Sequence, residues 1–385
     1  MAAGTARRKR TWLTVSLVVA AMAVTAGCGT QGTQGTASAA SSGSGSKGSG
    51  SKPAKHLKVA WLLYGPRDDG GWNVANISQS FPAVAKLPSI TQQVADNVPF
   101  TQQAGELAQS YIQGGANVVI DTAGFGTIFT NVCAQNLSVK CFEVVPLTKL
   151  TPNTSGYWAP SQLPEYAAGV AAGLMTKTNV VGYIIGFNSP YIIGGVDSFA
   201  LGCQKVDPKC VVRVVNINSF FDPSATVQAA NSLIDAGADV VRGWVDDPSF
   251  CSAAESKRVY AIGDFGDAYA QCPKAVITST VWNFSSYFQS QIKAIQNGTW
   301  KESQLTFVPA KQVFSLGKWG SFVPASVRNK VTSVFNGLIS GTLNPFVGPI
   351  TDNQGRLRIP AGTKLSAKFL YNGWGWYVKG VVASS

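Results

Sequence analysis

Histidine is almost missing from this chain: among 385 residues the only one is His56. Serine–histidine–aspartate and cysteine–histidine catalysis therefore have no base to draw on. There is no GxxxxGK[ST] phosphate loop, no HExxH zinc signature and no GxGxxG turn after a strand. CxxC and HxxxH spacings are absent too, so neither a metal nor another cofactor is expected. Beyond the N-terminal leader no stretch approaches the roughly 20 apolar residues that a spanning helix needs. The formal charge is +12, from 31 basic and 19 acidic residues, but the cations are scattered. A nucleic-acid surface would want them gathered in a patch with interleaved aromatics, so no nucleic-acid partner is expected. The charge reads as solubility plus attraction to an anionic envelope surface.

What is present begins at the N-terminus. Arg7, Arg8, Lys9 and Arg10 precede an uncharged apolar run over residues 12–24, too short to span a bilayer comfortably, which reads as a signal peptide. It ends in Val24-Thr25-Ala26-Gly27-Cys28. Small residues before a cysteine suit a lipoprotein signal peptidase, and the pattern resembles a bacterial lipobox with Thr25 where leucine is commoner. Residues 1–27 are expected to be removed, which leaves 27 basic and 19 acidic residues, and Cys28 to carry lipid. Residues 28–54, rich in Gly, Ser, Thr and Ala, bury too little apolar surface to offset their ordering entropy and read as a flexible tether. Acyl chains contribute about 0.8 kcal/mol per buried methylene, so a diacylated Cys28 would hold the protein on the extracytoplasmic face of the cell membrane.

Six cysteines remain. An even number in an exported chain suggests disulfides. The sequence-local pairs Cys133–Cys141, Cys203–Cys210 and Cys251–Cys272 are favoured, because each clips a loop rather than joining distant elements.

Short apolar, β-branched runs alternate with helical stretches: residues 58–64, 118–120, 141–145, 180–185, 211–215, 239–241 and 259–262 read as strands. Residues 75–85 read as a helix that Pro82 would break or kink. Short, nearly continuous apolar strands between helices point to an α/β fold with mostly parallel sheets covered on both faces. Residues 111–119, Tyr-Ile-Gln-Gly-Gly-Ala-Asn-Val-Val, echo residues 233–241, Leu-Ile-Asp-Ala-Gly-Ala-Asp-Val-Val. Two copies of one unit imply two similar lobes, each a doubly wound sheet. The expected boundaries are 55–178 for lobe 1, 179–275 for lobe 2, 276–340 for a return to lobe 1, and 341–385 for a crossover and C-terminal segment on lobe 2. Such lobes create a cleft at the carboxyl ends of their strands, and hinge closure is its usual motion.

Aromatic residues recur at the loops expected to face that cleft. They are Trp72 in Asp68-Asp69-Gly70-Gly71-Trp72-Asn73, Phe125, Phe220, Trp244 in Trp244-Val245-Asp246-Asp247, Phe265 beside Asp264 and Asp267, and Trp282. Aromatic faces against a flat heterocycle contribute about 1–3 kcal/mol per stacked ring. Carboxylates and amides at the rim would read its N–H groups. The adjacent aspartates Asp68-Asp69 and Asp246-Asp247 also allow an envelope hydrolase, although aspartates in turns are more often caps.

At these residues the chain resembles the basic-membrane-protein (BMP) lipoproteins of ABC transporters, of the purine-nucleoside-receptor type. The resemblance runs from Lys58 to Asn73 and through Asn218-Ser219-Phe220-Phe221-Asp222-Pro223, Gly237-Ala238-Asp239-Val240, Val259-Tyr260-Ala261-Ile262-Gly263 and Thr278-Ser279-Thr280-Val281-Trp282-Asn283 to Pro345-Phe346-Val347-Gly348-Pro349-Ile350. It implies a two-lobed type I periplasmic-binding-protein fold, no enzymatic activity, and permease and ATPase subunits as partners; the chain itself is expected to be a monomer. Carried over, the family's aromatic sandwich falls on Trp72 and Phe220, with polar contacts on Asp69, Asn73 and Asp246. Phe265 stands where nucleoside binders have an acidic residue, with Asp264 and Asp267 beside it, and Trp282 stands where they have lysine. Those losses suggest a free purine base or similar heterocycle rather than a nucleoside. A ligand-sensing surface lipoprotein acting through a partner receptor is the other reading.

Overall fold

The computed structural model describes residues 55–146 and 148–383. The expected leader, the expected lipidation site Cys28 and the expected tether through residue 54 lie outside the described residues. The first strands and helices follow the alternation of the sequence. They are β1 (Leu57–Leu62), α1 (Gln79–Ala85), β2 (Ile90–Ala95), α2 (Gln102–Gln113), β3 (Val118–Asp121), α3 (Thr127–Gln135), β4 (Lys140–Val144) and β5 (Thr154–Trp158). A second series follows: α4 (Gln162–Met175), β6 (Val180–Ile185), α5 (Pro190–Val206), β7 (Val211–Asn216), α6 (Pro223–Asp235), β8 (Val240–Trp244), α7 (Ser249–Lys257) and β9 (Tyr260–Phe265). The remainder comprises β10 (Val276–Trp282), α8 (Ser285–Gln296), β11 (Thr306–Phe307), α9 (Ala310–Val313), β12 (Phe314–Leu316), α10 (Ala325–Ser340), the β13–β14 hairpin (Ile350–Thr351 and Leu357–Ile359), α11 (Ala367–Asn372) and β15 (Val381–Ala383).

Two sheets result. The first runs β11-β5-β4-β3-β1-β2 and is parallel throughout. The second runs β12-β10-β9-β8-β6-β7-β15, antiparallel only at β12. Strand residues alternate between two buried faces, as doubly covered sheets require. Val59 and Trp61 of β1 join the large core cluster that takes in residues of both sheets, whereas Ala60 and Leu62 pack under α2 and α3. In β6, Val181, Tyr183 and Ile185 join that large cluster, and Ile184 packs on the other face with Val241 and Ala261.

The internal echo is realised bond for bond. Gly115 N donates to Ile112 O and Ala116 N to Tyr111 O, and Gly237 N to Ile234 O and Ala238 N to Leu233 O. Gly115 (φ 89°) and Gly237 (φ 97°) both occupy the left-handed region that favours glycine. Each turn feeds a strand placed beside its sheet's opening strand, β3 on β1 and β8 on β6. The three sequence-local disulfides are formed, with Cα separations of 6.4, 6.0 and 5.7 Å, within the usual range.

Two expectations need correction. Pro82 does not break its helix. Helical backbone runs on through Pro82 to Ala85, with a π-helical stretch at Val74–Ser78 one turn upstream. The passages between sheets also differ from those expected near residues 178, 275 and 340. β5 belongs to the first sheet, and α4, next in the chain, is tied to the second through Glu165, which accepts from Tyr183 and Arg242. β10 pairs with β9, placing residues 276–282 in the second sheet, while α8 packs on α1. The chain therefore crosses at residues 159–161, 283–284 and 308–313. No helix among the described residues is long and apolar enough to cross a membrane.

Candidate functional site

The loops leaving the carboxyl ends of β1, β3, β4 and β5 meet those leaving β6, β7, β8 and β9. The β1 loop is shaped by its own polar side chains. Asp69 accepts from the backbone N–H groups of Gly71 (2.8 Å), Asn73 (2.9 Å) and Val74 (3.2 Å). Asn73 Nδ2 donates to Tyr64 O and, at 2.9 Å, to Pro66 O. The loop touches the second sheet at Gly71, where an added Cβ would lie 2.3 Å from Asp246 O. Only glycine permits that approach.

Between the loops lies a cavity lined from the first sheet by Tyr64, Trp72, Phe100, Val145 and Trp158, and from the second by Tyr191, Phe220, Trp244, Asp246 and Phe265. About 420 Å³ of non-protein space lies between these side chains. Most of the cavity's lining residues are aromatic, so it offers ring faces to a flat molecule. Two lining residues have positive φ, Val145 at 48° and Phe265 at 61°. A β-branched residue in that region is costly, and such strain gathers where function requires it.

Of the residues expected from sequence, Trp72, Phe220, Trp244 and Asp246 line this cavity. Asp69 and Asn73 do not; their polar groups hold the β1 loop. Phe125 is buried behind Phe100, with ring centroids 5.1 Å apart, and Phe100 faces the cavity instead. Asp264 is committed elsewhere, accepting from Thr280 Oγ1 (2.6 Å) and Trp282 Nε1 (3.1 Å) while pairing with Arg242 (3.1 Å). Trp282 stands behind the lining, 5.5 Å from the Trp72, Trp158 and Phe265 rings. Asp267 caps the turn after β9 and accepts from Lys318 N at 2.9 Å. Sequence reasoning missed Tyr64, Phe100, Trp158 and Tyr191. Trp158 could have been found only by recognising β5, whose Gly156 and polar start hide it.

Asp246 is the one carboxyl among the residues lining the cavity. Burial holds its carboxyl well above the usual carboxylate range, and the Asp69 and Asp247 carboxyls push the same way. Asp247 itself accepts from Thr226 Oγ1 and Ser249. The four aspartates of the hydrolase reading therefore form no free pair on the cavity. Burial likewise raises Asp69 and Asp121 to about 7 against their backbone hydrogen bonds, and Glu143, beside Asp121, to about 8. An acid raised in the native state keeps a proton that the unfolded chain, with carboxyls near 4, has released. Native stability is thus lost as pH rises from about 4 through 7–8. Thermal denaturation is expected to give a Tm several degrees higher at about pH 5 than at about pH 8; equal values would contradict it.

Comparison with known proteins agrees with this geometry. The family described as ABC transporter substrate-binding protein PnrA-like (Bmp) matches residues 158–313. A purine-binding protein of Brucella abortus is 29% identical over 327 residues, covering 84% of this chain and 93% of that protein. A putative ABC transporter glucose-binding protein of Haloferax volcanii is 24% identical over 86% of this chain and 82% of its own. Among solved structures, an ABC transporter solute-binding protein of Aeropyrum pernix superposes with a TM-score of 0.62 at 13% identity, covering 77% of this chain and 93% of the other, a likeness of fold.

Proposed function

We propose that this chain, which matches the PnrA-like (Bmp) family of ABC transporter substrate-binding proteins over residues 158–313, is a solute-binding protein of that kind acting outside the cytoplasm, and that it captures a free purine base between its two sheets. The observation that carries this reading is the aromatic-lined cavity on which Asp246 supplies the one carboxyl. Rings from both sheets supply stacking surface, and Asp246 meets a ring or exocyclic N–H. A sugar needs many polar partners, and this lining has few. Glucose, the ligand in the name of the Haloferax relative, therefore fits poorly. A ribose fits little better, because Asp264 and Asp267, the carboxylates that could receive its hydroxyls, are bound within the protein.

In this reading Trp72 and Phe220 are the main stacking rings, with Trp244 beside them. Cys28 carries the lipid that keeps the protein at the membrane surface, and a permease and its ATPase take the base onward. A thermal-shift survey of purine bases, nucleosides and hexoses tests the ligand class. A ligand at a hundredfold excess over its Kd adds about 2.7 kcal/mol of stability. Bases should raise Tm clearly and more than their nucleosides do. A response to hexoses alone would overturn the purine reading.

A further inference from the structure

Four indoles stand together at the cavity, Trp72, Trp158, Trp244 and, one layer back, Trp282, and the N–H groups of three of them are treated differently. Trp72 Nε1 donates to Thr122 O at 2.6 Å. Trp282 Nε1, one layer back, donates to Asp264 at 3.1 Å. Trp158 Nε1 is buried and finds no acceptor in the protein. Indole nitrogen is a donor only, and a buried donor left unpaired is expensive, so buried indole N–H groups nearly always find partners. The Trp158 ring cannot easily turn away to seek one. It is 2% exposed and wedged between Trp72 (6.0 Å), Tyr191 (5.4 Å) and Trp282 (5.5 Å). Its backbone is fixed as well, since it ends β5 beside Phe307 and its carbonyl accepts from Val308 N at 2.8 Å. The indoles of Trp300 and Trp374 also bury an unpaired N–H, but of the three only Trp158 is a lining residue of the cavity, and its donor is held and unused by the protein.

We propose that Trp158 is a specificity-determining residue whose Nε1–H donates to an in-plane acceptor of the ligand, a ring nitrogen or a carbonyl oxygen. The proposal rests on the reading that a flat heterocycle occupies the cavity. With Asp246 facing a ligand N–H, the protein then requires both a donor and an acceptor on the ligand. Apolar aromatic molecules of the same shape are rejected, because they leave both protein groups unsatisfied.

The test is titration calorimetry with adenine and hypoxanthine and with their deaza analogues, each of which replaces one ring nitrogen by C–H. Wild type and Trp158→Phe are compared, the variant keeping a ring but losing the N–H. Loss of this bond should weaken the better base about tenfold. One analogue, or the removal of the carbonyl oxygen of hypoxanthine, should cost wild type a similar factor and cost Trp158→Phe nothing further. A variant that binds every base as wild type does would overturn the assignment and leave the base reading standing. So would a wild type indifferent to every single-atom change, a result that needs no variant to fold. If wild type binds no base at all, the base reading fails, and the Trp158 assignment with it.

Discussion

Replacing Arg242 with methionine is expected to remove about 3–5 kcal/mol of stability, the cost of leaving buried carboxylates without their cation. Arg242 is fully buried in β8. Its guanidinium donates to Glu165 through Nε (2.8 Å) and Nη2, to Gly263 O (2.8 Å) and to Thr280 Oγ1 (2.9 Å), and it pairs with Asp264 at 3.1 Å. Burial of Glu165 outweighs the guanidinium and raises its carboxyl to about 7, while the Asp264 and Glu165 carboxylates keep Arg242 protonated. The group ties α4, β8, β9 and β10 together behind the cavity, and Asp264 in turn holds the Trp282 indole. Denaturant unfolding of Arg242→Met should show the loss. The double variant Arg242→Met/Glu165→Gln should recover part of it, because one stranded charge is gone. A single variant within about 1 kcal/mol of wild type would mean that the network is hydrated or rearranged.

Phe220→Ala is expected to weaken base binding by about 10- to 100-fold, the loss of one stacked ring, with little change in Tm. The ring is partly exposed and its aromatic neighbour is Phe187, 4.9 Å away, so its removal opens no deep cavity. Trp72 is the less informative target. It packs against Trp158, Phe265, Trp282 and Phe284 and donates to Thr122 O, so Trp72→Ala would damage the core as well as the site. Calorimetric titration separates the two effects. Unchanged affinity in a folded Phe220→Ala would take Phe220 out of the site.

Much of this organisation was legible in the residues. The echo at Gly115 and Gly237 announced two equivalent units because a left-handed turn before a buried Val-Val strand is a local requirement, and the local cysteine spacing announced the disulfides. Strands whose partners supply their burial were harder to see. β2 carries Gln92 and Gln93 and lies at a sheet edge. β5 contains Gly156, where a Cβ would lie 2.5 Å from Gln304 O, far away in sequence. Missing β5 meant missing Trp158. Whether a polar loop residue faces a ligand or its own backbone was not legible either. Asp69 and Asn73 have the composition of ligand contacts and serve the β1 loop, and Asp264 is claimed by an arginine that stands in another strand. The passages between sheets depend on which sheet a strand joins, which periodicity does not encode.

The most direct measurement is calorimetric titration of the purified protein with adenine, hypoxanthine and their nucleosides. The expected result is one base bound per chain, with the matching nucleoside at least about tenfold weaker for want of ribose partners. Saturable binding of nucleosides with none of the free bases would contradict capture of a base by the aromatic cavity.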